Sequence, residues 1–286
     1  MILKKLIVCS AVACTSLGGY AYFSKDKGPT TTQTATEIDA NDGATSGSTM
    51  SDVIELAVAS RKKMSESLHN YTARFVKQEA DDNGVVGEEG EIFMKVQTRL
   101  GNENDDGAMR VYLRFERPGN VKGREVIWGE DIYGGRMQVK EAGMLGMMTL
   151  SLDPTGPIAM MGQRYPISEI GLVRLTEKLI ERGQKDVDDP NVTVMISKNQ
   201  TIGDLAVDLI QVKRAKPSNV EDDFSLAEIA FDPKEMLIVR YRSFGWPADG
   251  DEELPLQESY TYFDVKANTD LSDKDFDTTN SEYSFP

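Results

Sequence analysis

The chain has 286 residues, 47 acidic against 32 basic, and a formal net charge of −15. So acidic a body argues against nucleic acid as a partner, because Lys and Arg must replace counterions there, and against attraction to anionic membrane surfaces. Both cysteines, Cys9 and Cys14, lie near the N-terminus, so the remainder has no disulfide, no thiol nucleophile and no thiolate metal site.

Lys4 and Lys5 precede an apolar run from Leu6 to Cys14, followed by small residues up to Ala21, the layout of an export signal. Three outcomes fit residues 1–21: cleavage after Ala21, lipid attachment at Cys14, or retention of Leu6 to Phe23, 18 uncharged residues, as a short membrane anchor. Each places the body outside the cytoplasm, in the periplasm or envelope, and brings it near a membrane through its N-terminal segment. Residues 22–49, rich in Thr, Ser and Gly, have little to bury and read as a disordered tether. Residues 50–286 carry no second linker and read as one domain, about 235 residues long, large enough to stand on its own core.

Between Met50 and Asn70, the residues Val53, Leu56, Ala57, Ser60, Met64 and Leu68 recur three or four apart, which predicts an amphipathic helix with Thr49 as N-cap. The period then changes to two. Strands are expected at Tyr71–Gln78, Gly90–Gln97, from Met109 to Phe115, at Glu125–Gly129 and at Gly134–Lys140, with Asp82-Asn83-Gly84 as turn chemistry and Arg117-Pro118 as a strand end. In the Met109 strand, Val111, Leu113 and Phe115 share one face, while Arg110, Tyr112 and Arg114 share the other, away from the core.

From Ala142 to Arg164 the alternation fails. This insert holds five of the 13 methionines and is broken by Pro154-Thr155-Gly156-Pro157. Ser168 to Arg182 predicts a second helix stopped by Gly183. Strands resume at Val192–Lys198, Leu205–Lys213, Ser225–Phe231, Met236–Phe244 and Leu256–Val265. Sequential hairpins exclude a parallel doubly wound sheet. The expected fold is therefore α+β, a single large curved antiparallel sheet of about ten strands, a half-barrel whose concave face is covered by helices.

No catalytic constellation emerges. His69 is the only histidine, so a nucleophile would lack the usual oriented base, and it reads as a cation at a helix C-terminus. Carboxylates gather in loops, and Asp273-Lys274-Asp275-Phe276-Asp277 imitates a calcium loop whose sixth and twelfth places hold Thr278 and Ser284 instead of Gly and Glu. The reading is non-enzymatic, with no metal and no cofactor. The methionines have more to offer, since flexible thioethers suit irregular apolar partners as well as core filling.

Phe75-Val76-Lys77-Gln78, Gly90-Glu91-Ile92-Phe93-Met94 and Phe115-Glu116-Arg117-Pro118 before Gly123-Arg124-Glu125 resemble the opening of the LolA-like superfamily, periplasmic carriers of lipoproteins. Arg240-Tyr241-Arg242-Ser243-Phe244-Gly245-Trp246-Pro247, the run Glu258 to Asn268, Leu271, Asp275-Phe276-Asp277 and Tyr283-Ser284-Phe285 resemble a domain-of-unknown-function family of exported bacterial proteins within or near that superfamily. The resemblance implies a bent sheet whose apolar hollow, plugged by helices, can hold acyl chains. It leads to an exported envelope protein that binds a lipid or lipidated partner in an apolar groove, with Leu113, Phe115, Met147, Met148 and Met161 as ligand contacts. The alternative is an envelope sensor or scaffold that binds a protein partner while its own helices fill the groove.

Overall fold

The computed structural model describes residues 33–36, 44–45, 47–100, 107–143, 147–218, 223–248, 250 and 252–286. The export segment, most of the tether, the loop 101–106, Met144 and Leu145 lie outside the described residues. In β4 (Arg110–Arg117), Val111 and Leu113 are buried on one side while Arg110 and Arg114 turn to the other, the register that a period of two dictates.

The same alternation builds β2 (Asn70–Glu79), β3 (Gly90–Gln97), β5 (Glu125–Gly129), β6 (Met137–Lys140) and β7 (Thr149–Leu152), then β8 (Val192–Ile202), β9 (Leu205–Arg214), β10 (Leu226–Asp232), β11 (Leu237–Phe244) and β12 (Leu256–Ala267). With the two-residue β1 (Ala44–Thr45) they form one antiparallel sheet of twelve strands, ordered β1-β8-β9-β10-β11-β12-β2-β3-β4-β5-β6-β7. The sheet is open, with β1 and β7 as its edges. The α+β class read from the sequence is thus the observed one, and bulges in β8, β11 and β12 locally bend its strands.

Two helices cover one face, here called the inner face. Helix α1 (Met50–Ser67) opens on a capping box in which Thr49 and Asp52 exchange hydrogen bonds, and it buries Met50, Val53, Ala57, Ser60 and Met64. Helix α2 (Leu172–Asp186) begins four residues later than its pattern predicts, because Ile167–Glu169 forms a 3-10 turn and Gly171 breaks the chain at φ +109°. Nor does Gly183 end it. The helix runs on to Asp186, and Gly183 is buried where a Cβ would come within 3.0 Å of the Ile54 side chain, so the missing side chain allows α2 to lie close on α1. No helix among the described residues is long and apolar enough to cross a membrane.

The start of α2 is fixed by the sheet. Gly171 N–H donates to the Tyr262 hydroxyl and Leu172 N–H to the Tyr71 hydroxyl, both at 3.0 Å, so two donors that a helix N-terminus leaves orphaned find buried acceptors. Burial pushes both phenols well above their ordinary pKa, which keeps them protonated at any working pH.

The outer face is covered as well. A C-terminal tail lays Phe276 beside Tyr112 and Ile127, and stacks Tyr283 on Tyr112 at 4.0 Å between ring centroids. Lys95 reaches from β3 to Asp275 at 2.7 Å and stands over both rings. The three aspartates of the calcium-like run are engaged by protein: Asp273 by Arg110, Asp275 by Lys95 and Ser272, and Asp277 by the Thr279 N–H. His69 follows the cap of α1, its Nδ1 3.3 Å from the Leu100 carbonyl. Further along the same face, residues 33–36 lie over β9 to β12, where the Thr36 N–H donates to Glu228 at 2.8 Å beside the buried Glu228–Arg242 ion pair. Gln33 accepts from Ser259 at 2.9 Å, and Gln211 donates both to Glu228 and to the Thr36 carbonyl.

Two outcomes follow. A Cβ on Gly171 would stand 2.8 Å from the Tyr71 hydroxyl at a φ that L-residues avoid, so Gly171→Ala should cost roughly 1–3 kcal/mol. Urea unfolding would register this as a lower midpoint at unchanged slope, and an unshifted midpoint would contradict it. The second concerns the tail. Burial raises the Asp275 carboxyl, yet the hydrogen bonds from Lys95 and Ser272 outweigh it and hold the group below the usual carboxylate range. A depressed carboxylate lends stability that is complete above its unfolded value of about 3.9 and is lost as pH falls through the lower folded value. Acidification below about pH 4 should therefore loosen the tail, seen as faster amide exchange around Tyr283 while the β2–β3 amides stay protected.

Candidate functional site

Inner-face side chains line up across the strands. Met94, Leu113, Val126, Val139 and Leu150 are successive cross-strand neighbours from β3 to β7. The first four are buried, whereas Leu150, at the open edge, is 36% exposed. The apolar floor therefore runs out into solvent at β7 instead of ending under protein. Phe115, one step along β4, lies half-buried on the same floor with the Arg124 guanidinium over its ring.

The insert stands beside this edge. Leu152 and Ala159 pack onto the main core, but Met147 (79% exposed), Met148 (67%), Ile158 (63%) and Met161 (59%) face water. Between Glu141 and Arg164 the sequence contains a single charged residue, Asp153, whose carboxylate accepts from the Thr155 N–H and hydroxyl. The insert is thus a charge-poor stretch around β7 in an otherwise charge-rich chain.

Its far end is fastened by polar groups. Alternation along β2 and β12 carries Lys77, Glu79, Glu258 and Tyr260 onto the inner face, where Lys77 pairs with Tyr260 and Glu79 with Glu258 in register. The Tyr260 hydroxyl donates to Glu79 at 2.5 Å and lies 3.2 Å from Glu258. Burial, then the charges of Glu258 and Glu79, push that phenol far above its ordinary pKa, so it remains a donor. From the insert, Arg164 approaches Glu258 at 3.3 Å and Gln163 accepts from Lys77 at 2.8 Å; from α2, Arg182 donates to Tyr241 and Tyr165. All four oxygens of Glu79 and Glu258 have a partner, an arrangement that fastens rather than reacts.

A cavity of about 90 Å³ lies where α1 and α2 meet β3 and β4, lined among others by Tyr71, Val96, Leu100, Met109 and Val173. At about 30 Å³ per molecule it has room for some three waters.

Of the five residues singled out by sequence, Leu113 and Phe115 come together on the floor, while Met147, Met148 and Met161 lie on the solvent side of the insert. The polar fastening was missed. Its signal was present, since continuing the Tyr71-Ala73-Phe75 alternation puts Lys77 and Glu79 on the core face of β2.

The family described as Protein of unknown function (DUF1571) matches residues 68–285. No curated protein matches the chain. Among solved structures, the chain is similar to LprF from Mycobacterium bovis, with 13% identity over 79% of this chain and 98% of that one at a TM-score of 0.42. It is similar also to a DUF1329 family protein from Desulfovibrio piger, with 12% identity, 80% and 97% coverage and a TM-score of 0.38. A LolA superfamily protein from Nitrosomonas europaea matches at 12% identity, 77% and 97% coverage and a TM-score of 0.28. The membership expected from the residues between Arg240 and Phe285 is borne out, and the chain belongs to the DUF1571 family.

Proposed function

We propose that this protein is an exported, non-enzymatic binding protein of the cell envelope that holds a lipid, or the acyl chain of a lipidated partner, on its inner face beside β7. The observation that carries the reading is the apolar floor from Met94 to Leu150, which reaches solvent at the sheet edge within a Met-rich insert whose only charged residues are Asp153 and Arg164. Leu113 and Phe115 would form the floor of the groove, and Met147, Met148 and Met161 would fold over the guest. Burying a sixteen-carbon chain yields on the order of 10 kcal/mol before ordering costs, at ~0.8 kcal/mol per CH₂, so no charged anchor is needed.

No residue of the insert lines the cavity of about 90 Å³, so the guest would enter instead where the floor meets the insert, and loading would require the segments flanking β7 to lift from the sheet. The contacts that would yield are those of Gln163 and Arg164 with Lys77 and Glu258. The packing of Leu152 and Ala159 from the insert onto the main core favours one second reading, a scaffold that keeps its groove filled by its own side chains and binds a protein partner elsewhere.

Native mass spectrometry after gentle extraction should find co-purifying lipid, and a fluorescent fatty acid should bind. Gln163→Ala combined with Arg164→Gln should accelerate uptake several-fold by loosening the insert. A protein that is clean and refuses the fatty acid in both forms would leave only the scaffold. Tyr260→Phe removes the donor shared by two buried carboxylates, and it should lower stability by about 1–3 kcal/mol in thermal or urea unfolding, where an unchanged curve would contradict the fastening role.

A further inference from the structure

Large apolar side chains exposed to water are few, and they are not scattered evenly. Nine stand out among the described residues, and five of them, Met147, Met148, Leu150, Ile158 and Met161, belong to the short stretch from the end of β6 to the turn before Gln163. In that stretch the chain has no aromatic residue and no arginine, the side chains that anchor protein interfaces, and one carboxylate, Asp153, already satisfied by Thr155. A surface without hydrogen-bonding or charged anchors needs a partner that demands no complementarity of either kind.

We propose that this insert docks on the electrically neutral surface of a lipid bilayer, with Met147, Met148, Ile158 and Met161 entering the boundary between headgroups and acyl chains. The committed occupant is uncharged lipid for two reasons. A body of net charge −15 is repelled by an anionic leaflet, and the insert offers no lysine or arginine between Glu141 and Arg164 to offset that repulsion. Four flexible or branched apolar side chains on the segments flanking β7 gain by leaving water whatever the order of the lipid around them. Of the cationic side chains closest along the chain, Arg164 at the insert's end is paired with Glu258, while Arg136, just before β6, and Lys140, on β6, are bonded to Ser151 and the Gly123 carbonyl; two such cations fall short of the cluster of about four to eight that anionic lipid recognition uses. The inference goes beyond the groove reading, since a protein can carry lipid without touching a bilayer.

Full-length Ile158→Trp, mixed with phosphatidylcholine vesicles, should show a blue-shifted emission and several-fold stronger quenching by brominated acyl chains than the wild type, whose Trp128 is buried in the core and whose half-buried Trp246 donates to Asp223. The response should not weaken with added salt. An N-terminal segment held in the same vesicles would act alike on the wild type and the variant, so the signal is the difference between the two. Adding Met147→Asp and Met161→Asp to that variant should abolish the quenching; both positions are exposed, so folding can be checked by an unchanged thermal midpoint. Emission unaltered by vesicles, quenching confined to anionic vesicles and lost in salt, or a blue shift that grows with protein concentration without lipid would each overturn the proposal, the last in favour of a second copy of the chain. Lipid found by native mass spectrometry in a protein that shows no quenching would retain the groove reading and dismiss this one.

Discussion

Two phenol oxygens, those of Tyr71 and Tyr262, hold the first turn of α2 against the sheet, and the arrangement of the inner face depends on them. They accept from consecutive backbone N–H groups deep in the core, where an unpaired donor would cost about 1–3 kcal/mol each. The contact requires the left-handed backbone of Gly171, since any side chain there would strike the Tyr71 hydroxyl. With its start fixed on β2 and β12, α2 lies beside α1, against Met50 and Ile54 at Gly183, and the pair covers the middle of the sheet. What the helices do not reach is the edge at β7.

That leaves an asymmetry with functional weight. The outer face is closed by the C-terminal tail over β3 to β5 and by residues 33–36 over β9 to β12. The inner face is closed by two helices at its centre and by the polar fastening of Gln163 and Arg164 near β2 and β12. Among the described residues, exposed apolar side chains concentrate where the floor of β4 to β7 meets the insert. The insert's share of the fastening is a few contacts: an ion pair from Arg164 to the buried Glu258, and hydrogen bonds from the Arg164 N–H to Glu79 and from Lys77 to Gln163. The floor is made of packed side chains whose separation costs far more. In the proposed reading, motion therefore falls to the segments flanking β7 and rigidity to the sheet.

Much of this was legible in the sequence. The strands were, because a period of two over five or more residues leaves only one register that keeps Arg110 and Arg114 out of the core, and β3 was found from Gly90 to Gln97 without error. Helix α2 was displaced because its pattern of Ile170, Val173, Thr176 and Ile180 continues through a turn that is not α-helical, and because glycine at position 183 serves a close approach that sequence cannot tell from a stop. The insert was legible as an anomaly only. Methionine density says that a segment is apolar and adaptable, but whether Met147 points inward or outward depends on contacts far along the chain, such as Arg164 with Glu258. The burial of Tyr112 on a face that alternation assigns to solvent was hidden for the same reason: Tyr283, which covers it, lies at the far end of the chain.

The seat that Glu228, Arg242 and Gln211 provide for Thr36 has a mechanical consequence. If the chain left the body at β1, the stretch from Gln33 to Gly43 would be free rope; held at Gln33, the departure point moves back by that stretch, worth roughly 40 Å at full extension. Whatever grips the residues before Gln33 then holds the body on a short lead, with its pivot on the back of the sheet rather than at the edge strand β1. Cutting the contacts of both Gln33 and Thr36 would lengthen the lead as far as β1, whose pairing with β8 is the next hold.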